Sequence, residues 1–252
     1  MWVDTHCHLY MSADEPEALL ARATDVGVAW VMCPGVDLET SLKASALAAK
    51  HPDRVLWSVG LHPHEAERWP EQAARIESLV SDADAVGECG LDFYRNLAPR
   101  NAQLDAFRAQ LDLAKGADKP IIIHTRDAFA DVYELISAAD LGANAVLHCW
   151  TGGPKWTKRF RELGPTFSFA GPVTYEKAET VRLGASEAPP ESTIVETDTP
   201  YLTPPPTRSD PNEPANVPRI GEALASVWGM SVDAVADLTS ATAARIFGTP
   251  GL

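Results

Sequence analysis

Six side chains of the kinds that bind divalent cations stand where short apolar runs of this chain end: His6, His8, Glu88, His124, His148 and Asp198. Residues two apart in extended backbone share a face, so His6 and His8 of Asp4-Thr5-His6-Cys7-His8 can close on one ion from a single piece of chain. Six ligands exceed what one tetrahedral ion uses, and a shared carboxylate holds two cations about 3.5 to 4 Å apart. The expected partition puts His6, His8 and Asp198 on one ion, His124 and His148 on the other, and Glu88 between them. Glu88 is flanked by Val86, Gly87, Cys89 and Gly90, which give a buried carboxylate little company except a cation. Asp198 has two roles open to it, ligand and proton acceptor for an attacking water. Mixed histidine and carboxylate ligation admits Mg, Mn or Zn.

A second ring of residues suits substrate binding. His62 and His64 of Gly60-Leu61-His62-Pro63-His64 can donate hydrogen bonds to an anion, and Arg126 offers a two-pronged fork for phosphate. Asp92, Tyr94 and Arg95 follow Glu88 closely, and the Tyr94 ring can stack on a base or sugar. For His64, Tyr94 and Arg95 a plain polar rim is the alternative. Glu196 either orients a ligand or pairs with an arginine. Cys7, Cys89 and Cys149 adjoin ligands, and alternation turns their thiols away wherever the backbone stays extended.

Positioning these residues requires a repeating scaffold. Strand-like runs cover Trp2-Asp4, Val26-Cys33, Val55-Gly60, Ala83-Glu88, Pro120-His124, Asn144-His148, Thr166-Ala170 and Thr193-Thr197, with ends 22 to 36 residues apart. Helical patterns lie between them, over 15–24, 38–50, 70–80, 100–115, 129–139, 154–163 and 175–183. In the fourth, Leu104, Phe107, Leu111 and Ala114 form one apolar stripe. Continuous apolar strands suit a parallel sheet covered by helices. Eight such units predict an α/β chain closed as a (β/α)8 barrel, the TIM-barrel architecture, with its site at the carboxyl ends of the strands. The proline-rich stretch from Pro200 to Pro218 reads as one wall of that site. Helices over 219–228, 231–238 and 240–247 complete the outer layer. Residues 1–252 form a single domain without internal repeats.

With 45% hydrophobic and 22% charged residues the chain is an ordinary globular one. Its formal net charge of -14 opposes non-specific adhesion to nucleic acid or anionic membranes, so a polyanionic substrate needs local positive features such as bound cations. Four irregularly spaced cysteines suit a reducing compartment. No leader pattern and no long apolar run is present, so a cytoplasmic location is expected, with no membrane and no obligate protein partner.

Taken together, Asp4-Thr5-His6-Cys7-His8-Leu9, Gly60-Leu61-His62-Pro63-His64, Gly87-Glu88-Cys89-Gly90-Leu91-Asp92, Ile123-His124-Thr125-Arg126, His148-Cys149-Trp150, Glu196-Thr197-Asp198-Thr199-Pro200-Tyr201-Leu202 and Asn212-Glu213-Pro214-Ala215-Asn216 resemble the TatD family of metal-dependent hydrolases, the TatD-like deoxyribonucleases of the amidohydrolase-like barrels. The resemblance implies two divalent cations on His6, His8, Glu88, His124, His148 and Asp198. Departures fall at Arg208-Ser209-Asp210-Pro211 and at Thr242, where the family usually carries asparagine. Two hydrolytic readings follow from it. The first is a 3′-5′ exodeoxyribonuclease acting on DNA ends or single strands. The second uses the same ions on a carbonyl, as a D-aminoacyl-tRNA deacylase or a small-molecule ester or amide hydrolase. A non-catalytic barrel would have lost ligands, and none is missing. No lysine stands where a carboxylated bridge would sit, because Glu88 fills that place.

Overall fold

The runs rich in Val, Ile, Trp and Phe pair as one parallel sheet in strict chain order, β1 (Trp2–Asp4), β2 (Val28–Pro34), β3 (Val55–Val59), β4 (Ala85–Asp92), β5 (Ile121–Arg126), β6 (Ala145–Leu147), β7 (Thr166–Phe169) and β8 (Thr193–Val195). The computed structural model describes residues 1–251. Between the strands run α1 (Pro16–Asp25), α2 (Leu38–Lys50), α3 (Trp69–Leu79), α4 (Arg100–Ala117), α5 (Phe129–Ala139), α6 (Pro154–Arg161) and α7 (Glu179–Ala185), and α8 (Val217–Trp228) and α9 (Val232–Phe247) follow β8. The seam between first and last strands is closed by hydrogen bonds from Thr5 N to Val195 O (3.1 Å), Asp198 N to His6 O (2.9 Å) and His8 N to Thr199 O (2.8 Å). The result is the expected (β/α)8 barrel.

Strand residues alternate between two apolar layers. Trp30, Met32, Leu56, Ala85, Ile122, Val146 and Ile194 point inward and meet Ala243 and Phe247 of α9, which plugs the amino-terminal end. Val31, Cys33, Val55, Trp57, Ile121, Ile123, Leu147 and Val195 point outward and pack under the helices. That parity turns Ser58 inward within β3 and Gly60 and His62 inward beyond it, His124 inward within β5, and His148 and Glu196 inward beyond β6 and β8.

Strand β4 breaks the parity. Ala85 faces in and Val86 out, yet Cys89 and Leu91 also pack in the outer layer. Between the pairs Val86↔Ile121 and Cys89↔Ile123 the register slips by one residue, a bulge that turns Glu88 and then Asp92 into the barrel mouth. Just beyond it, Gly90 has φ 131°, and a β-carbon there would sit 2.1 Å from His124 O. Gly90→Ala is therefore expected to cost about 3 kcal/mol or more from backbone strain and overlap together. Urea unfolding that shows less than about 1 kcal/mol lost would contradict this close approach.

Several boundaries differ from the sequence expectation. The last two helices are one, α9, because Ser240 sits inside the helix and donates its hydroxyl to Met1 O (2.8 Å) rather than breaking it. β4 runs on to Asp92 since its ladder with β5 continues through Gly90↔His124 and Asp92↔Arg126. α7 starts at Glu179, later than expected, because Tyr175 N donates to Pro172 O and Ala178 N to Tyr175 O in successive turns. Leu104 is only half-buried, and the inner face of α4 instead adds Gln103 and Gln110 to Phe107, Leu111 and Ala114.

Candidate metal centre and its surroundings

All six residues singled out at strand ends converge at the carboxyl end of the barrel. His6 Nε2 lies 3.2 Å from His8 Nε2 and 3.2 Å from Glu88 Oε2. Asp198 Oδ1 stands 3.9 Å from His6 Nε2 and 3.7 Å from His8 Nε2, and Glu88 Oε2 is 3.7 Å from His8 Nε2. Four atoms bound 2.0–2.1 Å from one tetrahedral ion would be about 3.3 Å apart, so these spacings fit a shared cation. The other oxygen of Glu88, Oε1, lies 3.1 Å from His124 Nδ1, 3.5 Å from His62 Nε2 and 3.7 Å from His148 Nε2. His62, expected in the outer ring, thus stands with Glu88 and His124 in one ligand-competent group. Histidines and carboxylates drawn together at these distances in a buried pocket are an arrangement that bound cations would satisfy.

Burial opposes charge throughout the site, and neighbours decide the outcome. Burial pushes the Glu88 carboxyl up, but His148, His62 and His6 outweigh it and hold it well below the ordinary range. Burial lowers His8 to about 3 and His62 well below its usual value. For Asp198 burial wins over His148 and His6 and raises it to about 6. For His148 burial is overcome by Glu196 and Glu88, which push its pKa up to about 10. In the metal-free protein at pH 7.5 His148 therefore carries a proton that must leave when its ring binds a cation. Metal uptake is expected to release about one proton or more, with affinity rising as pH rises toward 10. Titration calorimetry in buffers of different ionisation heat reads this, and buffer-independent heats would refute it.

A further layer fixes the candidate ligands. Glu196 Oε1 is 2.7 Å from His148 Nδ1 and accepts from Cys149 N (2.8 Å), while Oε2 accepts from Ser168 Oγ (2.5 Å). Its open role resolves to orienting His148. Removing such a partner usually costs ten- to a hundredfold in metal affinity. Glu196→Gln should lose about tenfold or more in metal affinity measured by competition with a chromogenic chelator. Unchanged affinity would leave Glu196 a bystander.

Asp92 works in the same layer. Its Oδ2 lies 3.3 Å from His124 Nε2 and 2.8 Å from His64 Nε2, and its Oδ1 accepts from Tyr94 N and Arg95 N. The carboxylate is fully buried and occupied by these groups, so it positions His124 and His64. Asp4, also fully buried, takes Thr197 N (2.8 Å), Thr197 Oγ1 (2.6 Å) and His6 N (3.3 Å), which ties the β1 end to the β8 end. Gln110 on α4 grips Leu61 N (2.7 Å) and O (3.1 Å) beside His62, and Gln103 takes Asp92 N (2.9 Å). None of Asp4, Gln103 and Gln110 was singled out from the sequence. A glutamine on the apolar face of an amphipathic helix was the available signal.

Above the ligands opens a cavity of about 950 Å³, bounded by His8, His62, His64, Glu88, His124, His148 and Asp198 below and by Tyr94, Arg95, Arg126 and Tyr201 toward solvent. Cys149 lines it too. The expectation that its side chain turns away fails because Cys149 has φ 45°, so alternation does not hold there. Burial pushes its thiol well above the usual range, which leaves it protonated and a poor nucleophile. Cys7 and Cys89 do pack outward. The proline-rich wall is tied down by Asn212, whose Nδ2 donates to Thr197 O (2.8 Å) and Tyr201 O (2.7 Å). Among the described residues no helix is long and apolar enough to cross a membrane.

This chain is 33% identical over 255 residues to a protein of Bacillus subtilis (strain 168) named uncharacterized metal-dependent hydrolase YabD, covering 98% of this chain and 99% of that one. It is 36% identical over 241 residues to one of Cronobacter sakazakii named 3′-5′ ssDNA/RNA exonuclease TatD, covering 92% and 91%. The crystal structure of YjjV, a TatD homologue from Escherichia coli K12, superposes with a TM-score of 0.92 at 26% identity, covering 99% and 98%. The family described as TatD related DNase matches residues 3–248, and with the metal-competent barrel mouth this places the chain in the TatD family of metal-dependent hydrolases.

Proposed function

We propose that the protein is a two-cation phosphodiesterase that trims single-stranded DNA from its 3′ end. The observation that carries this is the divided Glu88 carboxylate, one oxygen within 3.2–3.7 Å of His6 and His8 and the other within 3.1–3.7 Å of His124, His62 and His148. A pair of divalent cations held there would supply an activated water and neutralise charge on the phosphoryl oxygens. His6, His8 and Asp198 would hold one member, His124, His148 and His62 the other, with Glu88 common to both. Asp198, facing both sets, accepts the proton of the attacking water. Arg126, exposed at the edge of the cavity, offers parallel N–H groups to a non-bridging oxygen and fixes the phosphate for in-line attack.

On a chain of net charge -14 a polyanion has to be drawn by local positive groups, and the cation pair together with Arg95 and Arg126 at the cavity edge would supply them. The relative from Cronobacter sakazakii supports the choice of strand and polarity by its name. Carbonyl hydrolysis on D-aminoacyl-tRNA or a small ester or amide is the competing reading, and it calls for an enclosed apolar cup rather than a mouth edged by Arg95 and Arg126. The test assays protein stripped of metal and reloaded with Mg, Mn or Zn on 5′-labelled single-stranded DNA and on D-aminoacyl-tRNA. A metal-dependent ladder shortening from the 3′ end is expected. Deacylation with no nucleotide release overturns the proposal.

A further inference from the structure

Two tyrosines at the barrel mouth each lie under an arginine. The Arg126 guanidinium carbon is 4.1 Å from the centroid of the Tyr94 ring, and that of Arg208 is 3.8 Å from the centroid of Tyr175. Tyr94 and Arg126 come from the ends of β4 and β5. Tyr175 and Arg208 come from the loops after β7 and β8, on another arc of the ring of strands. Tyr94 is 62% exposed, so its ring is accessible to a ligand. Tyr175 N is bonded to the carbonyl of Pro172, which lines the cavity.

Arg22, Arg68, Arg100 and Arg108 each pair with a carboxylate. Among the described residues, neither Arg126 nor Arg208 does, and each rests on a ring on the side of the barrel where the candidate ligands meet, as Arg159 rests on Tyr133 and Trp156 on the outer helices. A guanidinium held flat on an aromatic face keeps its N–H edge free for phosphate and its outer face free for a base.

We infer that the Tyr94–Arg126 and Tyr175–Arg208 pairs are two base-stacking shelves flanking the metal centre, so that the protein grips unpaired bases on both sides of the phosphate it presents to Glu88 and Asp198. This rests on the reading of the substrate as a nucleic acid strand and assigns what selects it. Stacking uses the π-face that every base has, so the shelves discriminate unpaired from paired bases and not one base from another. A duplex, whose bases are already stacked on one another, has none to offer them.

The probe is a fluorescein-labelled thymidine hexanucleotide beside a hexamer of the same backbone with abasic sites in place of every base. Binding is read by anisotropy on metal-loaded protein with cleavage-resistant phosphorothioate versions of both strands, and KM and kcat are read on the unmodified strands. Wild type is expected to bind the base-bearing strand roughly tenfold or more tighter than the abasic one. Tyr94→Ala should remove most of that preference through KM, and Tyr94→Phe, which keeps the ring, should restore it. Arg208→Ala should lower it in part. Equal binding of the two strands by wild type, absence of strand binding, or an equal loss on both strands in Tyr94→Ala overturns the shelves. Base-dependent binding without release of nucleotides overturns the nuclease reading and leaves the shelves standing. Cleavage without base dependence does the reverse.

Discussion

Glu88→Gln is expected to lower kcat by about 10³-fold or more, because several kcal/mol of charge stabilisation depend on the shared carboxylate and each 1.36 kcal/mol is about tenfold in rate. The amide has one oxygen where the carboxylate has two. Its NH2 group would face either His6 and His8 or His124, His62 and His148, and it offers a cation no electron pair. Shape and volume are nearly unchanged, so the barrel should fold normally. The check measures kcat on single-stranded DNA together with bound metal by elemental analysis, with circular dichroism as the control for fold. The expected result is one bound ion or none, and little turnover. Two bound ions and an undiminished rate would show that Glu88 does not join the two sets.

The metal-competent residues were legible in the sequence for a simple reason. His124 lies in, and His148 follows, a strand whose alternation, set by Ile122 and Val146, turns it to the inside, and Asp198 reaches the same place past β8 through a left-handed turn at φ 61°. His6 and His8 flank an outward Cys7 in the same way. Glu88 was legible only by type. Straight alternation from Ala85 would have sent it toward the helices, and only the bulge against β5 brings it in. Nothing in Val86-Gly87-Glu88-Cys89-Gly90 states where a partner strand will slip, because register depends on the neighbouring chain as well as on local residues.

What the ligands lean on was harder to read. Glu196 and Asp92 are acids near the site in sequence, yet their tasks follow from which imidazole nitrogen each meets, and that requires the curvature of the closed sheet. Gln103 and Gln110 fall on the buried face of α4, where an apolar stripe was expected, because the loop bearing His62 and the end of β4 at Asp92 have backbone groups that no strand satisfies. His62 belongs with Glu88 and His124 through the same curvature. Its sequence context, a histidine before a proline, suits a substrate contact equally well.

Asp198→Asn separates the two tasks open to this residue. The backbone there is left-handed, with φ 61°, a conformation asparagine adopts as readily as aspartate, so the substitution is clean for the fold. As proton acceptor Asp198 should be worth about 10² to 10⁴ in kcat. As one ligand among four on the first ion, its loss should mainly weaken that ion, and excess metal would then restore the rate. The expected result is a fall in kcat that saturating metal does not rescue. The pH profile provides the second arm. Burial raises the free carboxyl to about 6, and a bound cation draws it lower, so the wild-type rate should fall at or below pH 6 as Asp198 takes up its proton. In the variant that acid limb should be absent, since an amide does not titrate. Full recovery at high metal concentration, with the acid limb retained, would reduce Asp198 to a ligand and move the base elsewhere in the cavity.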